Sequence, residues 1–189
     1  MKNAIFAHFS KNEMDKALEV KIEANRKEYE RLTKDDNYTD VRFNPRNGAL
    51  SAIHKEHNFD PTIGIFGIPR GDYERISLDV LYDYGNSVIL GSEKMGREIK
   101  TSEGHLNGIL FEIKGIEGIS KYNIIKDIKD ASKKQAEVVV LYYHDITLFS
   151  EKQIRESYQS YLRNSKSKRI KFINYIVENK LYTLNEKRR

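Results

Sequence analysis

The sequence predicts a sheet with helices packed against it, in the α+β or α/β class. Apolar and polar residues alternate over residues 106–114, as in a strand with one buried face. Residues 122–135 carry a helical stripe in which Ile124, Ile128, Ala131 and Gln135 fall on one side. Residues 138–143 are apolar throughout, which is typical of a central strand.

In the N-terminal half, the sequence predicts two helices and, after the first of them, a polar connector. The helices cover residues 12–31 and 71–84, and Gly85 ends the second. Residues 35–47 are polar and rich in turn residues, so we expect a connector there. We therefore divide the chain into an N-terminal helix with its connector, 1–47, and a main domain, 48–189.

The remaining elements follow from local patterns. Residues 87–90 form a short apolar strand, and residues 91–103 are charged and predicted as loop. Ser150 is a suitable N-cap for a helix to about residue 163. Strands at residues 169–177 and 181–184 then flank a turn.

The composition excludes several classes of protein. With no cysteine there is no disulfide framework and no thiolate zinc site. The longest apolar run, residues 138–143, is far shorter than the roughly 20 residues of a membrane helix. We see no signal peptide, and no phosphate-binding, dinucleotide-binding or serine-nucleophile motif. We expect a soluble protein in the cytoplasm, or one delivered into a target-cell cytoplasm, with no membrane partner.

The positive charge lies mainly near the C-terminus. Residues 151–189 hold eleven Lys or Arg against four Glu, while the chain as a whole carries +5. A basic segment on an otherwise balanced domain suggests an anionic partner such as nucleic acid, although a solubilising tail would look the same. The candidate phosphate contacts are Arg70, Lys121, Lys133 and Arg155.

The alternating strand supplies the first candidate site. Glu112 and Lys114 project from one face, where a lysine can neutralise developing charge and a carboxylate can accept a proton or bind a metal. Gln135, at the end of the following helix, could reach over the sheet towards them. An ordinary ion pair and a helix-boundary residue are the alternatives.

A pair of histidines supplies the second candidate site. His54 and His57 share one side if their segment is helical. Two imidazoles could act as acid and base in RNA cleavage, or could be two ligands of a metal site. A surface pair without a role is the third alternative.

The order of segments resembles a known nuclease family. GDYERISLDVLYDYGNSVIL, LNGILFEIKG and SKYNIIKDIKDASKKQAEVVVLYY are similar to the phage and mobile-element branch of the barnase–EndoU–colicin–RelE-like (BECR) nucleases. They also resemble tRNase toxin domains of contact-dependent inhibition proteins. RIKFINYIVENKLYTL looks like the final hairpin of these domains, so the resemblance covers roughly residues 54–184.

This resemblance implies an α+β fold with a small, mainly antiparallel sheet flanked by helices. It implies an endoribonuclease that needs no metal or other cofactor and cleaves tRNA or another structured RNA. The implied catalytic residues are a histidine of the His54/His57 pair, Glu112 and Lys114, with help from Gln135. An immunity or antitoxin protein is an implied partner. The helix at residues 12–31 has no counterpart in the family pattern.

Two other functions fit the same residues. In a metal-dependent DNase of the restriction-enzyme, PD-(D/E)xK type, Glu103 and Glu112 would bind Mg²⁺ and Lys114 would assist the attacking water. Gln135 in the following helix and Glu74 in the preceding one would accompany them. Two features argue against it. Glu103 stands where Asp is usual, inside the stretch TSEGH, which we expect to be flexible, and this function leaves the histidine pair unused. The second alternative is a non-catalytic nucleic-acid-binding protein of a mobile element.

Overall fold

Four helices and eight strands make up the described chain. The computed structural model describes residues 11–92, 102–118 and 120–184. The helices are α1 (Lys11–Thr33), α2 (Arg70–Asp83), α3 (Lys121–Lys133) and α4 (Glu151–Asn164). The strands are β1 (Tyr38–Asn44), β2 (Ala49–His54), β3 (Ser87–Leu90), β4 (Gly104–Leu106), β5 (Ile109–Gly115), β6 (Val138–Tyr143), β7 (Phe172–Val177) and β8 (Lys180–Thr183).

All eight strands lie in one sheet, in chain order. Four neighbouring pairs are antiparallel, namely β1–β2, β3–β4, β4–β5 and β7–β8. The pairs β2–β3, β5–β6 and β6–β7 are parallel, and a helix lies in the connection between the strands of each parallel pair. The α+β class with a mainly antiparallel sheet and an N-terminal helix is confirmed.

Helices cover both faces of the sheet. The α2 residues Tyr73, Leu78 and Leu81 pack with Phe111 and Ile113 of β5 in one apolar cluster. A second cluster joins α3 and α4 to alternate residues of β6 and β7. The end of α1 covers β1 and β2 through Leu32, which is fully buried. Since Glu112 pairs with Val139, a member of the α3–α4 cluster, Glu112 belongs to the face that α3 covers.

Several predicted elements are confirmed with small changes at their ends. β6 is buried at every position, and the Ser150 side chain accepts a hydrogen bond from the Gln153 N–H at the start of α4. The turn between β7 and β8 is formed by Glu178 and Asn179, both at positive φ, as in a two-residue hairpin. No helix in the described ranges is long and apolar enough to cross a membrane.

Two local predictions are wrong. The expected connector at residues 35–47 contains β1, because this polar edge strand needs only one covered face, and α1 supplies the cover. The strand expected at residues 106–114 is interrupted by Asn107 and Gly108, which adopt positive φ and form the tight turn between β4 and β5. The expected loop at residues 91–103 lies largely outside the described residues, and the boundary at residue 48 stays a prediction.

Candidate active site

The β4–β5 hairpin brings two glutamates together. Gly104 pairs with Phe111 across the hairpin, so Glu103 comes beside Glu112. The backbone N–H of Glu103 donates to Oε2 of Glu112 over 3.2 Å. Glu112 is completely buried and Glu103 is 6% exposed. Two carboxyl groups nine residues apart therefore share one poorly hydrated site.

Two lysines hold the other oxygen of Glu112. Lys114, two positions along the same face of β5, places Nζ 2.7 Å from Oε1. Lys134, the residue that caps the end of α3, places Nζ 2.6 Å from the same atom and 3.7 Å from Oε1 of Glu103. The predicted shared face of Glu112 and Lys114 is thus present, with a second ammonium group from the neighbouring helix.

Helix α2 adds a third carboxylate. A Cβ at Gly115 would overlap the Tyr73 ring, so this glycine at the end of β5 lets the helix approach the sheet. The next residue, Glu74, places Oε2 3.1 Å from Nε2 of His57. The same nitrogen lies 3.9 Å from Oε2 of Glu103. His57 and Glu74 thereby join the pair of glutamates from the hairpin.

The buried carboxyl of Glu103 has a strongly raised pKa. Burial, together with the nearby charges of Glu112 and Glu74, raises its pKa to about 9 against the opposing effect of Lys134 and Lys114. Among the described residues, its Oε2 has no hydrogen-bond partner. Three carboxyl groups thus meet two ammonium groups here, and a bound cation could take the place of a proton on Glu103.

Four of these residues line the inner end of a cleft of about 680 Å³. Its lining includes Glu74, Glu103, Lys114 and Lys134 at the inner end and Arg70 and Glu117 at the outer rim. Nη2 of Arg70 lies 2.5 Å from Oε2 of Glu117, and the hydrogen bond from Arg70 lowers the pKa of Glu117. Asp127 of α3 also lines the cleft, and burial raises its pKa to about 6.

The two predicted histidines have different surroundings. The segment is not helical: His54 ends β2, and a turn closed by the His57 N–H and the His54 carbonyl follows. The His54 ring packs edge-on against Tyr38, with the ring centroids 5.3 Å apart. His57 is buried in the carboxylate cluster. The predicted shared side of the two rings is therefore wrong, and only His57 reaches the site.

Gln135 does not join the cluster in this structure. It follows the cap residue of α3 at a φ of 69° and is exposed, so its place on the buried stripe is wrong. The helix ends at Lys133, two residues earlier than the stripe suggested, and its cap residue Lys134 is the one that reaches Glu112. The only sequence signal for Lys134 was its place beside Gln135.

Of the four predicted phosphate contacts, Arg70 alone lines the cleft. Lys121 and Lys133 are exposed on α3, and Lys133 pairs with Asp130 at 2.7 Å. Arg155 pairs with Glu151 on α4 at 2.7 Å. The cations that line the cleft with Arg70 are Lys114, Lys126 and Lys134. The residues next to each lysine in the sequence did not indicate which lysines would line the cleft.

Comparison with known proteins gives one partial match. Residues 100–180 match the family model of the contact-dependent growth inhibition CdiA C-terminal domain. This part of the chain is similar to a contact-dependent inhibition toxin domain. No curated protein and no solved structure matched the chain.

The matched segment contains four of the six residues of the site. It includes Glu103, Glu112, Lys114 and Lys134, whereas His57 and Glu74 precede it. The match agrees with the contact-dependent inhibition part of the sequence resemblance. The BECR branch and the phage origin stay predictions.

Proposed function

We propose that this chain is a toxin-type nuclease that cleaves nucleic acid with a divalent cation held at the inner end of the cleft. The observation that carries the proposal is the convergence of Glu74, Glu103 and Glu112 beside Lys114. The match to the CdiA C-terminal domain supports the toxin part, since such domains are commonly nucleases.

The donor set fits a cation. Carboxylate oxygens suit divalent metals, and Oε2 of Glu103 is a buried acceptor without a hydrogen-bond partner in the described ranges. Glu103 and Glu74 would hold the ion. Glu112 lies beside them, with Oε1 at the two lysines and Oε2 at the Glu103 N–H. A bound cation would supply an activated water and neutralise charge on the phosphodiester.

The chain's own cations have a separate role. Nζ of Lys114 is held by Glu112 yet remains partly open to the cleft, with 22% of its side chain exposed. From there its ammonium group can stabilise the charge that develops on a phosphate beside the carboxylates. Lys134 pairs with Glu112 and orients it, because a buried carboxylate needs such a partner.

Both arguments against the metal-dependent function are weakened by the geometry. Glu103 was expected in a loop, but it is buried directly before β4 and donates its N–H to Glu112. The histidine pair was expected to be unused, but His57 lies among the carboxylates. The metal-independent ribonuclease of BECR type stays a prediction. The His54 ring packs against Tyr38 outside the site, so His57 is the histidine of the pair that such an enzyme would use. RNA, including tRNA, remains a substrate to be tested alongside DNA.

The direct test is to incubate the purified protein with plasmid DNA, single-stranded DNA and tRNA, each with EDTA, Mg²⁺, Mn²⁺ or Zn²⁺. We expect cleavage of at least one substrate with a cation and none in EDTA. Cleavage of RNA in EDTA would support the metal-independent ribonuclease instead. Salt-sensitive binding without cleavage would support the non-catalytic protein.

We further propose an immunity protein as partner, because the matched family belongs to contact-dependent growth inhibition. Expression of the chain should stop growth of cells that lack this partner, and the substitution Glu112→Gln should restore growth. Equal toxicity of the variant would argue against cleavage as the cause.

A further inference from the structure

The orientation of the His57 ring is fixed from both sides. Its Nδ1 lies 3.0 Å from the carbonyl oxygen of Gly91. A carbonyl oxygen can only accept, so Nδ1 carries a proton. The opposite nitrogen, Nε2, points at Oε2 of Glu74 and Oε2 of Glu103, at 3.1 and 3.9 Å.

Nε2 is the ring nitrogen that faces the carboxyl groups. A neutral imidazole protonated at Nδ1 presents a lone pair at Nε2, and a transition-metal ion can bind to that lone pair. The side chain is completely buried, so the ring is screened from bulk water.

The spacing suits a metal ion. One ligand atom from each of His57, Glu74 and Glu103 can be chosen so that all three lie within 4.8 Å of one another. Ligands at about 2.1 Å from a zinc ion stand roughly 3–4 Å apart. Small side-chain rotations would therefore close the three donors around an ion.

A separate observation also indicates a ligand. Oε2 of Glu103 is buried, faces this centre and has no hydrogen-bond partner among the residues described. The hydrogen bond from Nδ1 of His57 to a backbone carbonyl is the outer contact that orients metal-binding histidines. A carboxylate oxygen without a hydrogen-bond partner among the described residues and an imidazole of fixed orientation thus meet at one point.

We propose that His57, Glu74 and Glu103 bind a transition-metal cation of the Zn²⁺ type in preference to Mg²⁺. Imidazole nitrogen suits Zn²⁺, whereas Mg²⁺ prefers oxygen ligands and keeps several of its waters. The pair of carboxylates supplies negative charge, and three protein ligands leave a position for water or substrate.

The biological role of this ion rests on the proposed nuclease function, but its binding can be measured without nucleic acid. Isothermal titration of the apo protein with Zn²⁺ and Mg²⁺ gives both affinities. Co²⁺ serves as a spectroscopic probe, because its visible absorption changes when a nitrogen ligand binds. His54→Ala is the matched control, since His54 is close in sequence and packs on Tyr38.

We expect Zn²⁺ to bind at least tenfold more tightly than Mg²⁺. His57→Ala should weaken Zn²⁺ and Co²⁺ binding by roughly 10- to 100-fold and change Mg²⁺ binding little. Glu74→Gln, an isosteric change on α2, should also weaken Zn²⁺ and keeps the test open if His57→Ala does not fold. His54→Ala should bind as the wild type does.

Unchanged Zn²⁺ affinity in folded His57→Ala or Glu74→Gln would overturn the inference, as would equal affinity of the wild type for Mg²⁺. The two proposals fail separately. Zn²⁺ binding through His57 without any cleavage would refute the nuclease alone. Cleavage with Mg²⁺ and no effect of His57→Ala on Zn²⁺ binding would refute the histidine ligand alone.

Discussion

The pKa of a carboxyl group is shifted in opposite directions at the two ends of the cleft. At the outer rim Glu117 receives both hydrogen bonds of the Arg70 fork, and the pKa of Glu117 is lowered. At the inner end burial and like charges raise the pKa of Glu103 to about 9. A carboxylate whose partner is already present stabilises local structure, whereas one without a partner is ready to bind a ligand.

The largest expected effect comes from exchanging a carboxylate for an amide at each end. Glu112→Gln should lower the cleavage rate by roughly 100-fold or more, because it removes the carboxylate that holds both lysines. Glu117→Gln, at the rim, should lower it by less than about threefold, as expected for a partly exposed pair. Initial rates on one substrate give both numbers, and circular dichroism checks the fold. Equal losses in the two variants would remove the distinction between the ends.

A smaller loss is expected for the residue that orients Glu112. Lys134→Ala should reduce cleavage about tenfold, since Glu112 keeps Lys114 as partner. Gln135→Ala is the matched control, because Gln135 is the next residue and is exposed. Measuring kcat over a pH series separates the two: the profile of Lys134→Ala should shift and that of Gln135→Ala should not. A loss with Gln135→Ala alone would restore the original assignment.

A still smaller effect is expected at the rim cation. Arg70→Ala should raise KM about two- to fivefold and leave kcat nearly unchanged, because Arg70 is half exposed and already paired with Glu117. Lys133→Ala, outside the cleft, should change neither parameter. A large fall of kcat in Arg70→Ala would mean that the rim takes part in the chemistry.

The smallest effect concerns stability rather than cleavage. Burial raises the pKa of Asp127 to about 6, so its stabilising contribution is complete below about pH 4 and is lost as the pH rises through 6. Asp127→Asn should therefore flatten the fall in the free energy of unfolding over this range. Urea titrations of the metal-free protein from pH 4 to 7 measure it.

Asp130 on the same helix is the control, because its pKa is shifted in the opposite direction to that of Asp127. Burial raises its pKa, but the hydrogen bond and charge of Lys133 outweigh burial, and the pKa is lowered. Its contribution is present above the unfolded pKa and is lost on acidification. Parallel pH profiles for Asp127→Asn and Asp130→Asn would contradict both assignments.

Local patterns predicted the core of the fold. Alternation identified β5 and the shared face of Glu112 and Lys114, and the unbroken apolar run identified β6. The polar edge strand β1 was missed, because its burial depends on α1 packing over it. The Asn107–Gly108 turn was missed because the alternation of β5 appeared to continue through Leu106.

The site was harder to predict because its parts come from distant segments. Glu103 and Glu112 could be paired by their spacing, but nothing local indicates that His57 and Glu74 lie beside them. A shift of two residues at the end of α3 decided between Gln135 and Lys134. Such details depend on helix ends and long-range packing, which a single sequence determines only through the complete fold.

The central claim is that the carboxylates of the inner end act through a bound cation. The most direct measurement is the cleavage rate of the EDTA-treated wild-type protein as a divalent cation is added back. We predict no cleavage in EDTA and a saturable recovery with added cation, absent in Glu112→Gln. Full cleavage in EDTA, unaffected by added cation, would contradict the account.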